Sequence, residues 1–349
     1  MRDTNDTNMI AALAILLVIM SVAGPYFVFK QGQSLMEPPR ITGRASTTGS
    51  ISLTILLPPP EMNTLGLKAE LAPDNKTIML SWNEVSRNNF SIYITDNISQ
   101  GFMWGSPNIT GLNVTSWNDT NASDTKERYY KIAVWNTGIE YISNDTVGKF
   151  TIEIVPATSV VGQVERNLIS LPLIPSNDSV GNVFRWATDL DIISYYNTSA
   201  SPPQYNSIQY GAGQWWGPWN RVDIKRAYAF QIISSGYNMT IAGTVPEGEI
   251  TVPIYTATSV VGQVQMNGVG WNSVRTICNI SRVLNNESGI TDLDIISHYN
   301  TSATPPQYNS VQYGAGKWWG PWDCFVPGRG YAFQIIAKGF NWTYNRSMT

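Results

Sequence analysis

The sequence is poor in charged side chains and in side chains that carry catalysis. Only 13% of its 349 residues are charged, the formal net charge is −3, and His298 is the one histidine. No basic block occurs, whereas nucleic-acid binding needs a positive stripe, so we expect no nucleic-acid partner. No glycine-rich phosphate loop precedes a predicted helix, and one histidine offers little choice for a Ser/His/Asp set. We therefore expect a protein that is not an enzyme and that holds no cofactor.

Cysteine is almost absent as well. Cys278 and Cys324 are the only two, neither has a metal-ligand neighbour, and two cysteines cannot supply a zinc set of four. In an exported chain an even pair favours a disulfide, and we expect one intramolecular bond that closes a loop of about 45 residues. The alternative is a pair of buried free thiols.

Long hydrophobic runs are rare, with one exception at the N-terminus. No residue from Thr7 to Phe29 is charged, and a stretch of about twenty apolar residues can span a bilayer as a helix. Residues 1–30 are expected to form a hydrophobic helix, either a retained membrane anchor or a signal peptide that is cut before Gly24. Residues 31–60 are predicted to be a linker, in which the alternating stretch SISLTILL could pair as a short strand.

Motifs for asparagine-linked glycosylation are abundant. Seventeen Asn-x-Ser/Thr triplets without a central proline occur among thirty asparagines, whereas the 61 serines and threonines predict about five by chance. This density indicates an exported, glycosylated surface. Asn5 precedes the hydrophobic segment and should not be modified. The sixteen candidate acceptors are Asn75, Asn89, Asn97, Asn108, Asn113, Asn118, Asn121, Asn144, Asn177, Asn197, Asn238, Asn279, Asn286, Asn300, Asn341 and Asn345.

Aromatic and β-branched residues are common, and both favour strands over helices. The chain is therefore predicted to be mostly β. Residues 61–155 are expected to form a β-sandwich, because turn residues separate alternating stretches at intervals typical of that fold. These stretches are TIMLSW (77–82), FSIYIT (90–95), RYYKIAVWN (128–136) and GKFTIEIV (148–155).

This region resembles a fibronectin type III module. Trp82 in LSW, Tyr93 in IYIT and the pair Tyr129–Tyr130 carry the resemblance. In that family the tryptophan packs in the core, and a tyrosine at this corner bonds back to the backbone. The resemblance implies a fold and no chemistry.

Residues 156–349 are a tandem repeat, predicted to form β-rich domains at 156–252 and 253–349. ATSVVGQV returns after 100 residues, and a 32-residue block that begins at Thr188 returns at Thr291 with 28 identical positions. Between these blocks the two copies diverge, and their alignment is ambiguous. Each copy is long enough to hold its own core.

The repeats are similar to β-rich modules of prokaryotic (archaeal-type) cell-surface and secreted proteins. Copy one supplies NLISLPL, RAYAFQII and IAGTVP, and copy two supplies GWN and GRGYAFQII. The resemblance implies a surface-exposed structural or binding module.

The histidine and the acidic pairs of the repeats do not indicate a catalytic or metal site. His298 is matched by Tyr195 in the other copy, so a catalytic role would be lost in one of them. Carboxylates two apart in a strand-like context are more often surface residues than Ca²⁺ ligands, so we expect no metal. The carboxylates concerned are Asp189, Asp191, Asp292 and Asp294.

The stretches QYGAGQWWGPW (209–219) and QYGAGKWWGPW (312–322) each predict a hairpin with a three-residue glycine loop. Successive side chains of a strand face opposite sides, so one tryptophan of each WW pair must leave its own core. We expect the outward ring to pack within its own repeat, against the other repeat or another subunit, or on a sugar. Polar partners for a sugar would be Asn206, Gln209 and Gln214. The candidate contact residues are Trp215, Trp216, Trp219, Trp318, Trp319, Trp322, Tyr210 and Tyr313.

These observations predict a non-enzymatic, N-glycosylated extracellular protein, membrane-anchored or secreted. We expect a structural component of a surface layer or filament that associates with itself or with other surface proteins through its repeated aromatic faces. The alternative is an adhesin that binds carbohydrate on Trp and Tyr platforms.

Overall fold

Strands dominate the described part of the computed structural model, and the helices found there are short, which confirms the expected mostly β fold. The structure describes residues 41–45, 51–55, 65–84, 89–136, 139–156, 167–201, 203–233, 235–257, 267–284, 289–304 and 307–346. The hydrophobic helix expected at 1–30 lies outside these residues. Within them, no helix has both the length and the apolar character needed to cross a membrane.

The chain divides into two units, Met1–Met62 and Asn63–Thr349. In the first unit, strands β1 (Ile41–Ala45) and β2 (Ile51–Ile55) form an antiparallel pair. The strand expected in SISLTILL is therefore present, and its partner comes from the preceding part of the predicted linker.

The second unit begins with two antiparallel sheets that we call the N-terminal module. The first sheet has the order β3 (Lys68–Leu71), β4 (Ile78–Ser81) and β7 (Ser116–Asp119). The second contains, in spatial order, β6 (Ile109–Leu112), β5 (Phe90–Thr95), β8 (Glu127–Asn136) and β10 (Val147–Ile154), while β9 (Ile139–Ile142) pairs with the far end of β8. A short 3₁₀ helix, Ala122–Asp124, precedes β8. The four expected strands are confirmed, with ends that differ by one residue at most.

The aromatic residues of this module match the expectation only in part. Trp82 is buried against Phe90, with ring centroids 5.5 Å apart. The hydroxyls of Tyr129 and Tyr130, however, donate to the carboxylates of Glu127 and Asp119, each at 2.8 Å, rather than to the backbone. Burial, together with these carboxylates, raises the pKa of both tyrosines.

Strand β10 belongs to both the N-terminal module and copy one. One edge pairs with β8, and the other pairs along its whole length with β17 (Tyr237–Thr244), which in turn pairs with β12 (Ile174–Pro175). The expected domain boundary at residue 155 falls directly after this strand. Phe150 and Ile152 of β10 lie in one core with the apolar side chains of copy one. On the opposite face Lys149 is buried and donates to the carbonyl of Thr125, and burial lowers its pKa.

Each repeat places a five-stranded sheet against a two-stranded layer. In copy one the sheet has the order β11 (Asn167–Ile169), β16 (Tyr228–Gln231), β13 (Ile192–Asn197), β14 (Gln204–Gly211) and β15 (Gln214–Trp216), with helix α1 (Val180–Val183). In copy two it has the order β19 (Asn267–Gly270), β25 (Gly330–Gln334), β21 (Ile295–Asn300), β22 (Gln307–Gly314) and β23 (Lys317–Trp319), with helix α2 (Ile280–Leu284). In copy one this layer is the pair β10 and β17, which belong to the larger sheet with β8 and β12, and in copy two it is the separate sheet of β18 (Glu249–Ile254) and β26 (Phe340–Asn345). The short strands β20 (Ile277–Cys278) and β24 (Cys324–Phe325) also pair in copy two.

The structure resolves the ambiguous part of the repeat alignment. Equivalent positions differ by 100 residues up to helix α2 and by 103 from Thr291 onward, so copy two has three extra residues between Leu284 and Thr291. The two cores differ across the diverged stretch. Trp271 of copy two, which stacks on Tyr344 with ring centroids 4.6 Å apart, takes the place of Leu171.

The two copies contact one another in a pseudo-twofold manner. Ile169 forms an isolated β-bridge with Arg329, and the equivalent residues Val269 and Arg226 form the same bridge in the opposite direction. The copies thus resemble the two halves of an internal dimer.

Candidate functional site

The two tryptophan hairpins form as expected, but with a shorter turn. Strands β14 and β15 are joined by Ala212 and Gly213 alone, whose φ angles of 51° and 79° are those of a two-residue hairpin turn. The side chains alternate as predicted. Trp216 is 58% exposed and its equivalent Trp319 is 54% exposed, while Trp215 faces the core.

The remaining candidate aromatic residues lie on the core side of the sheets. The Trp215 ring meets Tyr210 edge to face, with centroids 5.2 Å apart, and the Trp219 ring meets Tyr195 at 5.5 Å. Asn206 is also on this side, where its side-chain amide donates to the Tyr195 hydroxyl at 3.0 Å. It therefore does not belong with the outward polar groups, contrary to its place among the sugar-binding candidates. Copy two repeats the aromatic arrangement with Tyr313, Trp318 and Trp322.

The outward tryptophan of each copy lies along its own hairpin. The indole N–H of Trp216 donates to the carbonyl of Gly211 at 3.1 Å, and that of Trp319 donates to Gly314 at 2.9 Å. These bonds fix the rings without covering them. Both rings stay more than half exposed, so a partner from outside the described chain can reach them.

Each exposed tryptophan is one of four exposed apolar side chains on the same outer face. Strand alternation places Trp216 on the face of Gln209 and Ile192, because these three residues lie directly opposite one another. We call the four the outer patch. In copy one it comprises Leu190, Tyr205, Trp216 and Ile233, and in copy two Leu293, Tyr308, Trp319 and Ile336, with exposures of 42–59%.

The outer patch includes residues that the sequence analysis missed. Leu190 and Ile233 flank strands β13 and β16, so neither lies in a clear alternating run. Their exact recurrence in TDLD and FQII was the signal that could have revealed them.

A buried carboxylate holds the edge of each patch. The side chain of Asp191 accepts the N–H of Thr188 at 2.8 Å and the N–H of Ile233 at 3.2 Å. Asp294 makes the equivalent bonds in copy two. These bonds fix Leu190, at φ 77°, beside Ile233, so Asp191 serves the local structure. Within the described residues no three His, Cys, Asp or Glu side chains gather into a possible metal site.

The patches of the two copies differ at one neighbouring position. In copy two the ammonium group of Lys317 lies 3.6 Å from the centroid of the Trp319 ring, a cation–π arrangement. Copy one has Gln214 at that position. The ring of Trp319 is therefore partly capped by a cation, whereas the equivalent residue beside Trp216 is neutral.

The cysteine pair lies on strands β20 and β24, which are not part of the sheet that carries the patch. Cys278 and Cys324 are joined by a disulfide, with Cα atoms 4.0 Å apart. The equivalent residues of copy one, Asp178 and Arg221, form an exposed ion pair at 3.3 Å. The same two backbone segments are thus bonded covalently in one copy and electrostatically in the other.

The asparagines of the glycosylation motifs lie at the surface. Of the fifteen acceptors within the described residues, eleven are exposed and four are half-buried. Asn286 lies outside those residues. The buried asparagines of the described chain are Asn167, Asn267 and Asn272, and none of them belongs to a motif.

No protein-family model and no curated protein matches this chain. The fibronectin and surface-repeat resemblances therefore stay predictions that depend on short motifs. The duplicated patches and the surface position of the acceptor asparagines are the features that bear on function.

Proposed function

We propose that this protein is a non-enzymatic, N-glycosylated structural component of a cell surface. In this proposal it associates with copies of itself or with other surface proteins through the two outer patches. The supporting observation is that all four patch residues are identical and exposed in both copies.

The physical chemistry of the patch supports a protein contact. Several exposed apolar side chains on one face are a liability in an isolated soluble protein, and aromatic residues are enriched at the centres of protein interfaces. Trp216 and Trp319 are already held by their indole hydrogen bonds. These two side chains would therefore lose little conformational entropy when a partner binds them. Two equivalent patches on one chain can engage two partners, which is what a lattice or filament needs.

The decisive experiment compares the native protein with the double variant Trp216→Ala/Trp319→Ala. We expect the native protein to sediment as a large species and to form filaments or a lattice in electron micrographs, and we expect the variant to stay folded but not to assemble. Trp104→Ala is the matched control, because Trp104 is also 54% exposed but lies outside the patches. Unchanged assembly of the double variant would contradict the proposal.

A second candidate function, carbohydrate binding, is favoured by one observation in copy one. Gln209 and Gln214 are exposed on the same face as Trp216, so amide groups flank an open indole ring. A glycan array would test this function. Gln214→Lys, which introduces the cation present in copy two, should then abolish glycan binding while assembly persists.

A further inference from the structure

The two-stranded layer of copy two has an outer face that is covered in copy one. In copy one β3 packs against β17, and Thr240 and Ala242 of β17 line a small cavity together with Ala69 and Leu71 of β3. In copy two the equivalent side chains of β18 and β26 are exposed, except that Asn345 is half-buried. We call this surface the open face; it comprises Glu249, Thr251, Pro253, Asn341, Thr343 and Asn345.

The two faces share one backbone geometry. The hydroxyls of Thr151 and Thr240 lie 3.0 Å apart across copy one, and those of Thr251 and Thr343 lie 2.8 Å apart across copy two. The strands therefore correspond residue by residue. The difference is that β3 packs on this surface in copy one and no described strand packs on it in copy two.

The outer edge of the layer differs in the same way. In copy one the N–H of Thr151 donates to the carbonyl of Lys126 at 2.9 Å, at the end of the β10–β8 ladder. Thr251 occupies the equivalent position, so its N–H faces away from β26, and within the described chain β18 pairs with β26 alone. An outward row of backbone donors and acceptors is a template on which another strand can pair.

The open face carries two glycosylation motifs, and one of them has no equivalent in copy one. Asn345 takes the place of Ala242, which lies beneath β3, while Asn341 is equivalent to Asn238, which is exposed in copy one as well. Asn341 and Asn345 are four residues apart on one side of a strand, about 13 Å. The motif that is specific to copy two thus lies where the module is missing.

Two features of β18 argue that its edge is protected rather than built to bind a strand. Pro253 lies at the next outward position after Thr251 and has no N–H to donate, and Glu249 places a charge at the previous one. Proline and charge are common means of blunting an edge strand. Neither Pro253 nor Glu249 covers the outward backbone N–H of Thr251 itself.

We propose that N-linked glycans shield this surface in copy two, one on Asn345, at the position that the N-terminal module covers in copy one, and one on Asn341 beside it, and that they keep β18 from pairing with a strand of a second copy of this chain. This inference depends on the proposed glycosylation. The chain would then bury one copy of a repeated surface under protein and the other under carbohydrate.

The first test is site-resolved mass spectrometry of glycopeptides from the native protein. We expect both Asn341 and Asn345 to be modified, with the exposed Asn113 as the reference site. Modification at Asn113 without modification at the two open-face sites would overturn this inference and leave the glycoprotein proposal intact. Absence of modification at every acceptor would overturn both.

The second test measures self-association of full-length variants by analytical ultracentrifugation. All variants carry Trp216→Ala and Trp319→Ala, which remove association through the outer patches. Adding Asn341→Gln and Asn345→Ala should lower the concentration of half-association about tenfold or more. Removing two glycans elsewhere, with Asn113→Gln and Asn144→Gln, should leave it unchanged.

A further substitution shows whether the association runs through the β18 edge. Thr251→Pro removes the outward N–H and should reverse the association, whereas Thr251→Val, which loses only the hydroxyl, should not. Association that does not increase when the two open-face glycans are lost, or that survives Thr251→Pro, would overturn the shielding role.

Discussion

His298 should make copy two sensitive to acid, and His298→Tyr should remove that sensitivity. The imidazole is only 3% exposed, and its Nδ1 atom has no hydrogen-bond partner among the described residues. Burial, with a smaller contribution from the positive charge of Arg329, lowers its pKa from 6.5 to about 4. Tyrosine is the matched replacement, because copy one has Tyr195 at this position.

The sign and size of the effect follow from the two pKa values. The folded-state pKa lies below that of the unfolded chain, so the unfolded chain takes up the proton first as the pH falls. The stability is therefore complete above pH 6.5 and declines as the pH falls from there toward 4. One pKa unit corresponds to about 1.4 kcal/mol, so the loss reaches about 2.5 kcal/mol at pH 4.5 and somewhat more below that.

Two measurements check this prediction. His298 is the only histidine, so its NMR signals are unambiguous, and they should titrate with a midpoint near the lowered pKa rather than near 6.5. Denaturant unfolding at pH 7 and pH 4.5 should show that His298→Tyr loses less stability than the native chain, by about 2.5 kcal/mol. A midpoint near 6.5, or an equal loss in both proteins, would refute the reasoning.

Three further predictions concern stability, each measured by denaturant unfolding. Replacing both Cys278 and Cys324 by serine should cost about 3–4 kcal/mol, because the disulfide closes a long loop, and equal stability in a reducing agent would contradict it. Trp215→Ala should lower the free energy of unfolding by about 3–5 kcal/mol, whereas Trp216→Ala should lower it little, because only the Trp215 ring packs on the core. Similar losses in the two variants would contradict the opposite orientations of the two rings. Asp294→Ala should cost about 2–3 kcal/mol through two unsatisfied N–H groups, and a neutral result would exclude the anchoring role.

Local patterns predicted the features that depend on neighbouring residues. Alternation located strands such as Phe90–Thr95 and showed that Trp215 and Trp216 face opposite ways. The pairing of β10 with β17 could not be found in this way, because Ile154 and its partner Tyr237 are far apart in sequence and nothing local specifies their register.

The outer patch was found only in part, for a related reason. Leu190 and Ile233 lie beyond the ends of their strands, where a buried aspartate rather than strand periodicity sets their exposure. The tyrosine hydrogen bonds differ from the fibronectin expectation because two acidic side chains, Glu127 and Asp119, each lie 2.8 Å from one of the hydroxyls and accept its hydrogen bond.

The sharing of β10 has a consequence for the order in which the protein folds during synthesis. The partner strand β17 ends at Thr244, so it leaves the ribosome well after β10. At synthesis rates of 5–20 residues per second, the intervening stretch of about 90 residues takes roughly 5–20 s. For that time Phe150 and Ile152 have no cover from copy one. The outer edge and the inner face of β10 are therefore covered only after β17 of copy one has been synthesised.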